Sequence, residues 1–569
     1  MNRLSALDAS FIYQETPETP MHVGSLTIFA PPANPDDIFA RFRDQTAARL
    51  ELLPSYRRRL QMTPLGIDHP VWVDDDDVDL DYHIQHAALP KPGTMDQLRA
   101  QVARLHAIPL DLTRPLWQYH LIEGLEDGGF AVYIKMHHSD MDGVAGMATL
   151  DVVYDFSPDS APAYPVRKAI RSSAQPSDFL ELTTTAFADF LRQGLRAVRS
   201  APKLATTLAK ASRNLGRDGR YLLDYTRNTP RTRFNVAVSN HRCYGTSSLS
   251  LSDVKAVAKA RNATINDVVL ALCAGALRRY LIEHKSLPDL RLTAAVPASL
   301  RAPGDTRLNN QVVFSLCRLA TDVSDPLARL AAARIAAREG KDLFADVKDL
   351  LATDISVLGA PIAMTAFFRL LQRTYPVWCN IVISNVPGPR QPMYFAGAAA
   401  RHYFPLSIPF HGCALNITVQ SYLDSLEFGL TACRVAVPDV QLIADYLVED
   451  FKAMRRAHDA LSGPDAIEVI EIAAPEPTAS RKLAKRKRRI AAEPVAAAKP
   501  IETPARSEKQ TSPLAALATT QAAEETPPSS SARPAMSTAT PDARKKDAIR
   551  GRPGIRPSPT QADDGKTRH

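Results

Sequence analysis

The chain has 569 residues, room for roughly two to four domains, and its 45% hydrophobic content can build sizeable cores, which excludes a largely disordered or fibrous protein. The formal charge of +8 is localised: residues 476–569 hold 19 Lys/Arg against 10 Asp/Glu, leaving 50 basic and 51 acidic residues in residues 1–475. The six cysteines are scattered without close pairs, against a disulfide framework or a cysteine zinc site and in keeping with a reducing compartment. The first residues carry Asp8 and no long apolar core, and no run of about eighteen apolar residues occurs, so neither a signal peptide nor a membrane-spanning helix is expected.

In chain order, His22–Phe29 alternates as a strand, Pro35–Leu50 and Met95–Ala107 read as helices, and Leu116–Leu125 reads as a strand. The turn signal Glu126-Asp-Gly-Gly129 leads into Phe130–Met136, a strand rich in β-branched and aromatic residues. Val144, Met147, Leu150, Val152 and Val153 then recur with helical spacing. Residues 1–165 form a first mixed α/β domain. Residues 166–229 form a linker in which Phe187, Phe190, Leu191, Leu195 and Val198 share one helical face, flanked by Arg192, Arg196 and Arg199. Such a helix suits either an anionic membrane interface or packing on the domain with solvated arginines.

Residues 230–475 repeat the mixed pattern. Ser250 or Ser252 caps one helix and Thr264 or Asn266 the next, Val268–Leu281, while Arg291–Val296, Asn380–Ser384, Cys413–Gln420 and Leu426–Cys433 read as strands. From Glu476 onward the chain has no Phe, Trp or Tyr and opens with the basic run Arg481–Arg489, a composition expected to stay disordered. This tail suits an anionic lipid surface or a solubilising role. The single Arg550-Gly-Arg-Pro553 is too little for a DNA-binding signature, and no nucleic-acid partner is expected.

The run His137-His138-Ser139-Asp140-Met141-Asp142-Gly143 carries the chemistry. It stands where a strand gives way to a helix, with Asp142 placed as a helix cap. A neutral imidazole, with an unperturbed pKa near ~6.5, can take a proton from an alcohol or amine. Adjacent strand residues point to opposite faces, so only one of His137 and His138 is expected to face a given cavity. The spacing lacks the His-x-x-x-His of a helical zinc site, and no metal or cofactor is expected.

Met21-His-Val-Gly24, Pro115-Leu116-Trp117, the His137–Gly143 run, Asn266-Asp267, Pro297-Ala-Ser-Leu-Arg301 and Ser384-Asn-Val-Pro-Gly-Pro389 follow one another in an order that resembles the bacterial wax ester synthase/diacylglycerol acyltransferases, over roughly residues 1–460. Asn309-Asn310 stands where that family often carries Gly-Asn, so the backbone freedom of a glycine is missing there. The resemblance implies an α/β (α+β) fold of two chloramphenicol-acetyltransferase-like subdomains with an active-site tunnel between them. It also implies His138 as proton acceptor, His137 in support, Asp142 orienting, Gly143 in the motif turn, Pro115, Leu116 and Trp117 in a substrate channel or strand packing, and Asn266 and Asp267 as structural or site-ordering residues. Acyl-CoA would be a substrate, with diacylglycerol or a fatty alcohol as acceptor and no acyl-enzyme. A cytoplasmic protein in peripheral contact with a membrane or lipid-droplet surface would follow. The rivals are acyl transfer from carrier-protein thioesters or to complex-lipid diols, and a non-catalytic lipid-surface protein.

Overall fold

The computed structural model describes residues 2–34, 36–50, 54–140, 146, 150, 153–158, 227–299, 310, 312–341, 361–374 and 377–462. All of them belong to one compact unit, residues 1–471. The expected linker helix, the basic tail, Asp142 and Gly143 lie outside the described residues.

The first sheet grows around β2 (His22–Phe29) and β7 (Phe130–His137), antiparallel, with His22 opposite His137. Its other strands are β5 (Ile84–Ala88), β6 (Trp117–Glu123), β12 (Tyr394–Phe395) and β13 (Ala398–Leu406), in the order β12-β13-β2-β7-β6-β5. β7 is buried along its whole length, which fits its near-continuous apolar run. The second sheet has the order β10-β9-β11-β14-β15-β8. Its strands are β8 (Arg242–Ser250), β9 (Thr293–Ser299), β10 (Val312–Arg318), β11 (Ile381–Val386), β14 (Leu415–Tyr422) and β15 (Ser425–Cys433). A small third sheet joins β1 (Asn2–Arg3), β3 (Arg58–Gln61) and β4 (Val71–Asp74).

The sequence halves and the sheets do not coincide. β12 and β13, from residues 394–406, cross into the first sheet, where Phe404 pairs with Leu26. A boundary between residues 229 and 230 therefore separates stretches of sequence, not sheets. Alternation shows which face of a strand is buried but not which open edge it will join.

Side chains cap several of the described helices, and the two caps expected from sequence, at Ser250 and Thr264, are among them. α1 (Ala6–Gln14) starts at Ser5, whose side chain accepts from the Asp8 N–H at 3.1 Å. α2 (Ile38–Arg49) and the single turn α3 (Leu80–His83) follow, and then α4 (Met95–His106) with a Thr94/Gln97 capping box. In the second half Ser250 caps α5 (Leu251–Ala260) and Thr264 caps α6 (Ile265–Glu283). The apolar α6 lies in the core of the second sheet, with Val268, Leu272 and Leu277 fully buried beside Ile417 and Phe428. Among the described residues no helix is long and apolar enough to cross a membrane, and all six cysteines are free thiols.

Candidate functional site at the end of β7

β7 ends on His137, and His138 directly after it faces the opposite way. His137 is fully buried; its Nδ1 accepts the Ser139 N–H at 3.1 Å and lies 2.7 Å from Ser139 Oγ. Its Nε2 is 2.5 Å from Glu15 Oε2. With Nδ1 accepting a backbone N–H, the ring proton is assigned to Nε2 and donated to the Glu15 carboxylate. His137 is thus tied into the wall, away from any opening.

His138 lies in the wall of a cavity of about 720 Å³ between the two large sheets. β7 and β14 alternate into it, with Ile134 and Met136 of β7 and Asn416, Thr418 and Gln420 of β14, while β2 presents Val23, Gly24 and Ser25 and β11 Val382 and Ser384 to Val386. The β14 face is polar and the remainder mostly apolar, which suits a long-chain ligand with a polar centre. Both backbone polar groups of His138 are held. Its N–H donates to the Met21 carbonyl at 2.8 Å and its carbonyl accepts from Asn310 Nδ2 at 2.7 Å. The Phe11 ring stacks on its imidazole, with centroids 4.2 Å apart.

α1 and the residue that ends it, Glu15, supply much of this support. Asp8 Oδ1 accepts from Asn310 N at 3.1 Å and Asn310 Nδ2 at 2.7 Å, Phe11 covers His138, and Glu15 takes His137. Sequence reasoning passed over Asp8, Phe11 and Glu15; the three-residue spacing of Asp8 and Phe11 is the signal of one helix face, and Glu15 follows at the helix end. It also passed over Arg58 and Asp140. The buried Asp140 pairs with the Arg58 guanidinium, whose Nε is 3.1 Å from Oδ1 and whose Cζ lies 4.5 Å from the Trp72 ring centroid. Burial raises the Asp140 pKa above the usual carboxylate range, and Arg58 opposes that rise.

The other sequence candidates stand further out. Leu116 and Trp117 are buried beside the site and do not line the cavity. The Leu116 carbonyl accepts the His137 N–H at 3.0 Å, and Trp117 stacks on Tyr56, itself a cavity residue, at 4.8 Å while its Nε1 donates to the Tyr56 carbonyl. The Pro115-Leu116-Trp117 segment thus braces the histidine strand. Asn266 and Asp267 open α6; Asp267 is buried and its Oδ2 accepts the Thr264 N–H at 2.8 Å, a capping role remote from the cavity. Pro297 and Ser384–Pro387 do reach the cavity wall.

A second buried polar cluster lies behind β7. Lys135 Nζ donates to the carbonyls of Leu105 at 3.3 Å and Ile108 at 3.0 Å, at the C-terminal end of α4, and burial lowers its pKa to about 7. His106, its pKa pushed down to about 3 by burial, joins the Tyr133 hydroxyl at 2.7 Å. Among the described residues no three metal-ligating side chains converge.

Comparison with known proteins agrees with this site. The wax ester synthase/diacylglycerol acyltransferase catalytic domain matches residues 4–269, and the C-terminal domain of the same family matches residues 308–455. A protein of Mycobacterium bovis named as a diacylglycerol O-acyltransferase is 37% identical over 465 residues, covering 80% of this chain and 99% of that one. The O-acyltransferase WSD of Acinetobacter baylyi is 34% identical over 461 residues, covering 79% and 96%. The solved wax ester synthase/diacylglycerol acyltransferase from Marinobacter aquaeolei VT8 superposes with a TM-score of 0.59 at 32% identity, covering 80% of this chain and all of that one. The chain belongs to the wax ester synthase/diacylglycerol acyltransferase family.

Proposed function

We propose that this chain is an acyl-CoA-dependent O-acyltransferase that esterifies diacylglycerol, a long-chain alcohol or both, with His138 as the general base. The observation that carries the reading is His138 itself, the imidazole in the wall of a mostly apolar cavity large enough for a long chain. The acceptor hydroxyl gives its proton to His138 as its oxygen bonds to the thioester carbonyl carbon. The tetrahedral oxyanion then collapses, the C–S bond breaks, and the CoA thiolate leaves and takes the proton back from the imidazolium. No bond to the enzyme forms at any step. A base so placed contributes about a hundred- to ten-thousand-fold. His137, clamped by Glu15 and Ser139, keeps the strand end rigid. Asp142 keeps the orienting role and Gly143 the turn role that the family motif implies for them. Acyl-CoA enters as substrate and no cofactor takes part.

Both acceptors are barely soluble, so the reaction belongs at a lipid surface, with the protein cytoplasmic and peripherally held. Purified protein supplied with palmitoyl-CoA and either dioleoylglycerol or hexadecanol should release CoA and form the ester. His138→Ala should remove this activity and leave the circular dichroism unchanged, while His137→Ala should cost less activity. An active His138→Ala protein would sink the mechanism.

A further inference from the structure

The cavity opens at an apolar and basic rim. Phe314 of the edge strand β10 lines the cavity and is still 50% exposed. Its ring meets Trp378 at 6.1 Å, and Trp378 meets Phe410 at 6.2 Å; both also line the cavity and are only half-buried. Beside them runs the helix Pro361–Thr374, whose Phe368 reaches the cavity and which packs against α1. Its outward stripe reads Ala366, Arg369, Leu370, Arg373 and Thr374, all exposed, with Leu370 at 58%.

Single exposed apolar side chains are ordinary on a protein surface. Here they gather at the opening of the cavity that holds His138, which marks a contact surface. The charges identify the partner. The helix Pro361–Thr374 carries Arg369 and Arg373 and no acidic residue, and neither arginine forms an ion pair among the described residues. An amphipathic helix with arginines beside an apolar side chain, next to a half-exposed tryptophan, has the composition of an element lying in a lipid headgroup layer.

We propose that Phe314, Trp378 and the outer stripe Arg369-Leu370-Arg373 dock the cavity mouth on an anionic lipid surface, so that the water-insoluble acceptor slides from the lipid to His138 without crossing water. This rests on the O-acyltransferase reading and names the surface on which that reaction runs. The arginines meet the headgroups, Leu370 and the aromatic rim sit at the acyl boundary, and the helix relays the contact to α1, which carries Phe11 against His138.

Trp378 reports on the contact directly, because the chain has only two other tryptophans and both are buried, Trp72 at 7% exposure and Trp117 at 1%. The full-length protein is mixed with phosphatidylglycerol/phosphatidylcholine vesicles whose acyl chains carry bromine. Tryptophan emission should be quenched, and Trp378→Phe should remove the quenching. The lipid concentration for half-quenching should rise about fivefold for each of Arg369→Gln and Arg373→Gln. The triple change with Leu370→Ser should keep the wild-type rate on octanoyl-CoA and hexan-1-ol in solution and lose most of the rate on diacylglycerol embedded in vesicles. The proposal is overturned if the protein sediments with vesicles while Trp378 stays unquenched, if it does not bind them, or if the triple variant matches wild type on embedded diacylglycerol. A wild-type protein that is quenched but esterifies neither acceptor would overturn the acyltransferase reading and leave the docking surface standing.

Discussion

Phe11 lies flat against His138, with ring centroids 4.2 Å apart and planes 4° from parallel. Aromatic stacking of this kind contributes about 0.5–1.5 kcal/mol beyond area burial, enough to bias one imidazole orientation. In the proposed mechanism His138 acts only when its nitrogen is aimed at the hydroxyl, and the stack would hold that aim. Phe11→Leu should lower kcat about tenfold with a smaller change in KM for acyl-CoA, and Phe11→Tyr should keep most of the rate. Steady-state kinetics on the folded variants checks this; unchanged kcat in Phe11→Leu would reduce Phe11 to a wall residue.

Asn310 connects the two halves of the site through its amide. Nδ2 donates to both the His138 carbonyl and Asp8 Oδ1 at 2.7 Å, which leaves no doubt over which amide atom is nitrogen. Asn310→Ala should reduce kcat roughly ten- to a hundredfold, because a small displacement of a catalytic group has effects of that size. Asn310→Asp should be worse, since it brings a carboxylate against two acceptors, and should also lower Tm. Rates and melting of both variants decide it: an aspartate variant more active than the alanine one would rule out the two-acceptor geometry.

The sequence carried the strand β7, the caps of α5 and α6, and the motif histidines, because each depends on residues a few positions apart. The separate fates of His137 and His138 followed from strand alternation alone. The clamp around them was not legible: Glu15 meets His137 across 122 residues of sequence and Asp8 meets Asn310 across 302. Asn310 stood out only as part of an Asn-Asn pair in place of Gly-Asn. The crossing of β13 into the first sheet was hidden for a related reason. Its alternation fits either sheet, and the choice is made by the open edge of β2.

Arg58 and Asp140 form a largely buried pair just past His138. Removing one partner of such a pair typically destabilises by about 3–5 kcal/mol, because the other charge is left uncompensated. Arg58→Ala should therefore unfold at markedly lower temperature at pH 7. Burial already raises the Asp140 pKa, and losing the guanidinium raises it further, so the folded variant binds a proton that the unfolded chain releases near pH 4. The deficit relative to wild type should then grow as pH rises from 4 to 7 and shrink on acidification. Paired melts across that range measure it; a pH-independent deficit would mean that Arg58 acts through packing on Trp72 and not through charge.

Lys135 sets a pH dependence of the opposite sense. Burial lowers its pKa from 10.5 to about 7, so between these values the unfolded chain holds a proton that the folded protein has released. Stability from this group is lowest below pH 7, where charge must be buried, and rises with pH up to about 10.5, at about 1.4 kcal/mol for each unit of pKa difference. The two carbonyls that accept from Nζ, Leu105 and Ile108, offset part of the burial penalty and fasten the end of α4 to β7. Lys135→Met removes the charge and the hydrogen bonds together. It should therefore compare best with wild type below pH 7 and progressively worse as pH climbs toward 10, where wild type gains and the variant does not. Chemical denaturation of both proteins at pH 6, 8 and 10 gives the comparison. A stability difference that stays constant across those three values would show that Lys135 keeps its proton in the folded state, held by the carbonyls at the end of α4 and the nearby Glu15 carboxylate.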